Sequence, residues 1–262
     1  MNLILLFDSD FIAPHHVRLT GRRFTHIQEV LKVETSQLLT VGKVNGLMGQ
    51  GEVKDKTKDS IELEVKFDAK PPKALPLTLI LALPRPPMLK RILFSAAMLG
   101  VKKIIILNFN RVEKSLWSSS SLKPQAIEEQ LILGLEQAKD TVMPEVVLKK
   151  GFKPFVQDEL PGLIKGSLAL VAHPDRKTVS FPILHCHSGE PPQKPGGRRR
   201  NPDTNIFLVI GPEGGIIDHE IELLKAAGCQ TMDLGPRILR TEYVLPYFLG
   251  QRERENENGP GH

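Results

Sequence analysis

Four short runs of aliphatic and β-branched residues, at 77–83, 104–107, 168–171 and 206–210, recur through the last two-thirds of this chain. Helical spacing of apolar residues fills intervals at 88–99 and 126–139 and follows the last run at 219–227. A strand covered on both faces reads as an unbroken apolar run, and a helix between two strands brings the second back parallel to the first. The expected architecture is α/β, built on a parallel sheet. Within 88–99, Leu89, Ile92, Leu93, Ala96 and Leu99 share one face, whereas Phe94 and Met98 fall nearly opposite. Both faces need cover: the sheet on one side, and either the chain's own core or a second copy on the other.

The first seventy residues follow a different grammar. Strand signals lie at 3–7, 37–41, 51–54 and 61–67, the last alternating as Ile61, Leu63, Val65 and Phe67. Phe24, Ile27, Val30 and Leu31 predict one helix over 24–33, and glycines 42, 46, 49 and 51 supply turns. A small β domain over 1–72 is expected, then a linker at 70–76 whose three prolines resist helix and sheet alike, then the α/β domain over 76–250. Residues 188–205, rich in Pro and Gly, read as a mobile surface insertion carrying Arg198–Arg199–Arg200, and 251–262 as a polar tail that frays.

Composition narrows the function classes. At 40% hydrophobic and 25% charged the chain can build a core, and no apolar run approaches the roughly 20 residues of a membrane span. The start, Met1 to Asp8, has no basic leader, and its five apolar residues are short for a signal peptide. Cys186 and Cys229 are too few for a disulfide framework, so a reducing compartment is expected: the cytoplasm, with an organelle left open. His185, Cys186 and His187 are metal-ligand types, but neighbours on an extended chain point to opposite sides and no Cys-x-x-Cys accompanies them. No metal is expected. Ser118 to Ser121 lacks a Gly-x-Ser-x-Gly elbow and reads as a loop, with Trp117 beside it either packing or stacking on a base.

The net charge of +5 conceals a concentration. Residues 76–125 hold Arg85, Lys90, Arg91, Lys102, Lys103, Arg111, Lys114 and Lys123 against Glu113 alone. Such a cluster suits a phosphate backbone, whose condensed counterions are released on binding; a solvated face is the other reading.

Two segments carry candidate chemistry. The run 206–210 enters Gly211-Pro212-Glu213-Gly214-Gly215, after which Asp218 is placed to cap a helix with Glu220 in its first turn. Glycines let a ligand approach bare backbone, and strand carboxyl ends are where ligands settle in open α/β sheets. The pattern is neither Gly-x-Gly-x-x-Gly nor a P-loop, and the acidic helix start disfavours phosphate, pointing to a nucleoside-like or cationic ligand. About twenty residues later comes Leu234-Gly235-Pro236-Arg237-Ile238-Leu239-Arg240-Thr241-Glu242.

Together these segments resemble the signature of the ribosomal RNA small subunit methyltransferase E family, within the SPOUT superfamily of knotted methyltransferases. The resemblance extends over nearly the whole chain. His26, Val30, Leu31 and Lys32 are similar to its His-x-x-x-Val-Leu-Arg element, with Lys for Arg, and Leu99-Gly100-Val101, Arg111, Glu136-Gln137, Pro144 and Leu170-Val171-Ala172-His173-Pro174 are similar to later landmarks. What the resemblance implies is a PUA-like N-terminal domain, a trefoil-knotted SPOUT domain, a homodimer, and methylation of uridine N3 in small-subunit ribosomal RNA, free or in the assembled subunit. It implies S-adenosylmethionine held by His173, Pro174, Ile210, Gly211, Pro212, Glu213, Gly214, Gly215, Leu234, Gly235, Ile238 and Leu239. RNA contacts fall to Arg22, Arg23, His26, Lys32, Arg85, Lys90, Arg91, Arg111 and Lys114. Arg240 is the expected catalytic donor to the uracil carbonyls, with Glu242 orienting it or taking the proton. The chain departs from the family's Arg-Thr-Glu-Thr-Ala by placing Tyr243 and Val244 after Glu242. That change bears on cofactor fit and dimer packing, and keeps a non-catalytic RNA-binding relative as an alternative, beside a ribose 2′-O methyltransferase.

Overall fold

The computed structural model describes residues 2–174 and 205–257, with side chains to Arg252. The insertion at 188–204, its three arginines, and His185, Cys186 and His187 lie outside the described residues. Two compact units are present, Met1–Ala74 with Leu93–Gly100 and Ile127–Pro144, and Leu75–Ile92 with Val101–Ala126 and Glu145–His262.

The first unit holds a mixed six-stranded sheet. Its strands are β1 (Ile4–Leu6), β2 (Phe11–Ala13), β3 (His16–Leu19), β4 (Leu38–Lys43), β5 (Met48–Lys56) and β6 (Ile61–Ala69), ordered β1-β4-β5-β6-β3-β2. β1 runs parallel to β4 and the remaining pairs are antiparallel. Alternation selects the buried face: Val17 and Leu19, Val53, and Ile61, Leu63 and Val65 pack with Phe24 and Ile27 into one core. The helix α1 spans Gly21–His26, three residues earlier than the apolar spacing predicts, and continues as a π turn over Ile27–Leu31 ended by Lys32 at φ 50°. β2 and β3 were not foreseen, because three- and four-residue strands with few apolar positions leave almost no periodic signal.

The second unit holds a six-stranded sheet that is parallel throughout. β7 (Leu75–Ala82), β8 (Val101–Leu107), β9 (Glu145–Lys149), β10 (Leu168–Ala172), β11 (Ile206–Ile210) and β12 (Gln230–Met232) lie in the order β12-β10-β11-β7-β8-β9. The expected parallel α/β sheet is present, and β7 starts inside the expected linker, at Leu75. Helices α2 (Pro86–Met98) and α3 (Pro124–Ala138) match the periodic segments. On α2, Leu89, Ile92, Leu93 and Ala96 are buried as the stripe requires, Phe94 is half-buried, and Met98 is exposed. Residues α4 (Phe152–Pro154), a π turn at Phe155–Glu159 and α5 (Leu160–Leu163) complete the connection to β10.

Two expectations about helix ends are corrected. α6 spans Asp218–Ala226, so the N-cap is Ile217 and Asp218 is the first helical residue. The cap is made by Glu220, whose carboxylate accepts from the Ile217 backbone N–H at 3.4 Å. The tail expected to fray from 251 instead continues α7 (Thr241–Glu257) to Glu257. Its Arg-Glu-Arg-Glu run is made of good helix formers, and propensity there outweighs polarity.

Candidate functional site

A cavity of about 630 Å³ opens within the second unit at the carboxyl ends of its strands. Ala172 and His173 leave β10, Ile210 and Gly211 leave β11, Asp233 and Leu234 follow β12, and Arg85, Pro87 and Met88 follow β7. Chain order reverses between β7 and β11, where crossovers depart in opposite directions and leave a crevice. The His173 N–H donates to the Met232 carbonyl at 3.0 Å, joining the first turn to the third.

Most of the residues expected to hold a cofactor line this space: His173, Pro174, Ile210, Gly211, Pro212, Glu213, Gly215, Leu234, Ile238 and Leu239, with Arg240 and Glu242. Gly214 and Gly235 are outside the lining. Gly214 turns its carbonyl to Arg111 Nη1, and the Gly235 N–H donates to Asp233 Oδ1 at 3.0 Å with φ +117°. Ile238 is 87% exposed and stands at the rim. The sequence reading missed Pro87, Met88, Ala172, Ile216, Asp233, Arg237, Thr241 and Val244 as wall residues. Several simply follow a strand end, which was the signal available.

The wall at the start of α7 is chemically unusual. Thr241 and Glu242 are both buried, and Thr241 Oγ1 and Glu242 Oε1 have no hydrogen-bond partner among the described residues. A buried polar atom left unpaired costs free energy on the order of 1–3 kcal/mol, and both residues belong to the cavity wall. Arg240 Nη1 stands 3.9 Å from Glu242 Oε1; the arginine side chain is 78% exposed, its partner 6%. A permanent donor fork therefore projects from the rim, ion-paired at long range to an acid sunk in the wall. Val244 is buried in the lining, whereas Tyr243 is exposed and outside it.

A brace lies behind the glycine-rich turn. Glu220, buried, accepts from the Asn110 N–H at 2.7 Å, and Glu213 Oε1 accepts from the Arg85 N–H at 3.4 Å. Arg85 also reaches Glu113 at 3.4 Å.

The remaining candidate RNA contacts divide by environment. Lys90, Arg91, Lys114 and Arg111 are exposed on the second unit, and Lys32 on the first. Arg22 bonds Glu136 at 2.9 Å. Arg23 is engaged inside the first unit: it donates to Asp10 Oδ1 and Oδ2 at 2.7 and 2.6 Å and to the Leu5 carbonyl at 2.7 Å, over the Phe7 ring. His26 is half-buried with Nε2 unpaired among the described residues, and burial lowers its pKa, with Arg22 adding to the effect. Trp117 donates to Asn108 Oδ1 at 2.8 Å with Lys150 Nζ 6.0 Å above its ring, so its edge is anchored. Cys229 is buried, which pushes its thiol up to about 11 and keeps it protonated.

Comparison with known proteins gives a consistent picture. The model of the RNA methyltransferase domain matches residues 71–249. The ribosomal RNA small subunit methyltransferase E of Treponema pallidum is 26% identical over 242 residues, covering 91% of this chain and 86% of that protein. The protein of the same name from Synechocystis is 26% identical over 235 residues, covering 90% and 72%. Among solved structures, the Neisseria gonorrhoeae ribosomal RNA small subunit methyltransferase E bound to S-adenosyl methionine has a TM-score of 0.69 at 20% identity, with 98% of each chain covered. A Legionella pneumophila methyltransferase in complex with the same cofactor has 0.69 at 22% identity, covering 97% and 98%.

Proposed function

The chain belongs to the RNA methyltransferase domain family, and from that premise we propose that it transfers a methyl group from S-adenosylmethionine to N3 of a uridine in small-subunit ribosomal RNA. The observation that carries the reading is the α7 entrance, where exposed Arg240, its ion-pair partner Glu242 and buried Thr241 line a nucleoside-sized cavity.

The residues present fit the cofactor. The volume lies in the ~300–1,000 Å³ range of small-molecule pockets. Gly211 and Gly215 offer bare backbone, while Glu213 and Asp233 add negative charge suited to a cationic ligand. The turns at His173–Pro174, 211–215 and 234–239 would hold it. When bound, it supplies a methyl carbon on a positively charged sulfur.

The chain's own part is alignment and charge control. Holding two reactants in line can remove about 7–11 kcal/mol of the barrier, and this needs no nucleophilic side chain. The Arg240 guanidinium donates to the uracil carbonyl oxygens as N3 gives its proton to solvent water and negative charge spreads onto them. Glu242 acts by orienting that guanidinium. Arg240→Ala is therefore expected to lower turnover by about two to three orders of magnitude while cofactor affinity stays within a few-fold. Comparable losses in both would refute the role.

The reading extends to a trefoil knot in the second unit, a PUA-like fold for the first, a homodimer, and action in the cytoplasm on free RNA or the assembled subunit. The all-parallel sheet and the mixed β sheet support the first two. Primer extension on small-subunit RNA tests the substrate: an N3 methyl blocks the Watson–Crick edge, so a stop present in wild-type cells should vanish without the gene. A stop that persists overturns the assignment. Val244 in the lining favours one competing reading, an RNA-binding relative without catalysis. Calorimetric titration with S-adenosylmethionine separates the two, since that relative would give no binding heat.

A further inference from the structure

Building on the cavity as the cofactor site, we propose that Arg111 and Glu220 are positioning residues that brace the glycine-rich turn, Arg111 acting on the turn rather than on RNA. Neither residue lines the cavity, yet both reach the loop that does. Arg111 Nη1 donates to the Gly214 carbonyl, and the rest of its side chain lies along the turn: a Cβ at position 214 would stand 3.3 Å from Arg111 Cδ, and one at 215 would stand 3.6 Å from Nη1. From the other end, buried Glu220 accepts from the Ile217 N–H at 3.4 Å and from the Asn110 N–H at 2.7 Å. Residues 110 and 111 thus grip both ends of one short segment, and the wall residues Gly215 and Ile216 lie between the grips.

The physical need for this is entropic. Glycine loses more conformational freedom on ordering than any other residue, and this turn carries three in five positions. Within the turn, the Gly215 N–H to Pro212 carbonyl bond at 2.8 Å, with Gly215 at φ +79°, supplies one internal restraint. A guanidinium–carbonyl bond and a doubly accepting buried carboxylate are charge-assisted, and they order the loop before the ligand arrives. The sequence suggested Arg111 as an RNA contact because an arginine in a basic segment looks the same in either role.

Two readouts on Arg111→Ala decide the matter. Amide hydrogen exchange of the ligand-free protein is expected to quicken over 211–217, and the Kd for S-adenosylmethionine to rise roughly tenfold or more. Affinity for a small-subunit ribosomal RNA transcript, and its dependence on salt, should stay unchanged. Arg111→Lys, which keeps the charge but not the fork, should fall between. Glu220→Gln should quicken exchange over the same residues. If exchange over 211–217 is unchanged in Arg111→Ala, the brace is refuted, and a fall of about one in the salt slope of RNA binding would identify a phosphate contact instead. If the wild-type protein fails to bind S-adenosylmethionine, the cofactor reading falls while the exchange comparison still decides the brace.

Discussion

Gly134→Ala sets two effects of known size against each other. Gly134 is buried within α3, and by helix propensity alone alanine there is better by about 0.8–1 kcal/mol. The structure reverses the sign. A Cβ at 134 would strike the Phe94 carbonyl oxygen of α2, lie 2.8 Å from Ala97 Cβ, and lie 3.1 Å from the Met98 nitrogen. Two of these obstacles are backbone, so no rotamer change relieves them and the helices must separate. Overpacking costs about 1–3 kcal/mol, and backbone obstacles put this case near 3, leaving a net loss of about 2 kcal/mol. Gly162→Ala is the control: it too is a helical glycine, in α5, but among the described residues nothing lies within 4 Å of its Cβ, so it should be neutral or slightly stabilising. Urea unfolding followed by circular dichroism measures both. A Gly134→Ala protein as stable as wild type would refute the packing argument.

Three further outcomes are expected. Burial pushes the Glu136 carboxyl above its ordinary 4.5, against the pull of Arg22 and Arg23. The folded state then holds that proton more tightly than the unfolded chain, so Glu136 stabilises below about pH 4.5 and this is lost as pH rises through the raised value. Glu136→Gln should gain stability relative to wild type between pH 4.5 and neutrality, and parallel stability curves would count against it. Asp10→Asn leaves the Arg23 guanidinium without its charged partner and should cost about 3 kcal/mol by urea unfolding, the Leu5 carbonyl bond moderating the loss. At Gly211 a Cβ would collide with Ile216 Cγ1 in the cavity wall, so Gly211→Ala should weaken S-adenosylmethionine binding; Ile216→Ala in the same protein should restore part of it, and strict additivity would exclude the clash.

Much of the architecture was legible from residue order. The runs beginning at Leu77, Ile104, Leu168 and Ile206 announced buried parallel strands, and the spacing of Leu89, Ile92, Leu93 and Ala96 announced a core-facing helix. The motif pair at 211–215 and 234–242 was likewise legible, since both follow strand ends and share one cavity. What was illegible depended on partners distant in sequence. Arg23 looked like a free cation until Asp10 claimed it, and Glu220 looked like a helix-dipole charge until Asn110 was found 2.7 Å away.

Element type was thus written in the chain itself, because the two-residue and 3.6-residue periods that separate strand from helix are properties of neighbouring side chains. Strand order β12-β10-β11-β7-β8-β9, the meeting of four strand ends, and the contacts of Arg111, Gly134 and Glu220 came only with the tertiary structure. Those depend on which residues meet from distant parts of the chain, and no local pattern records that encounter.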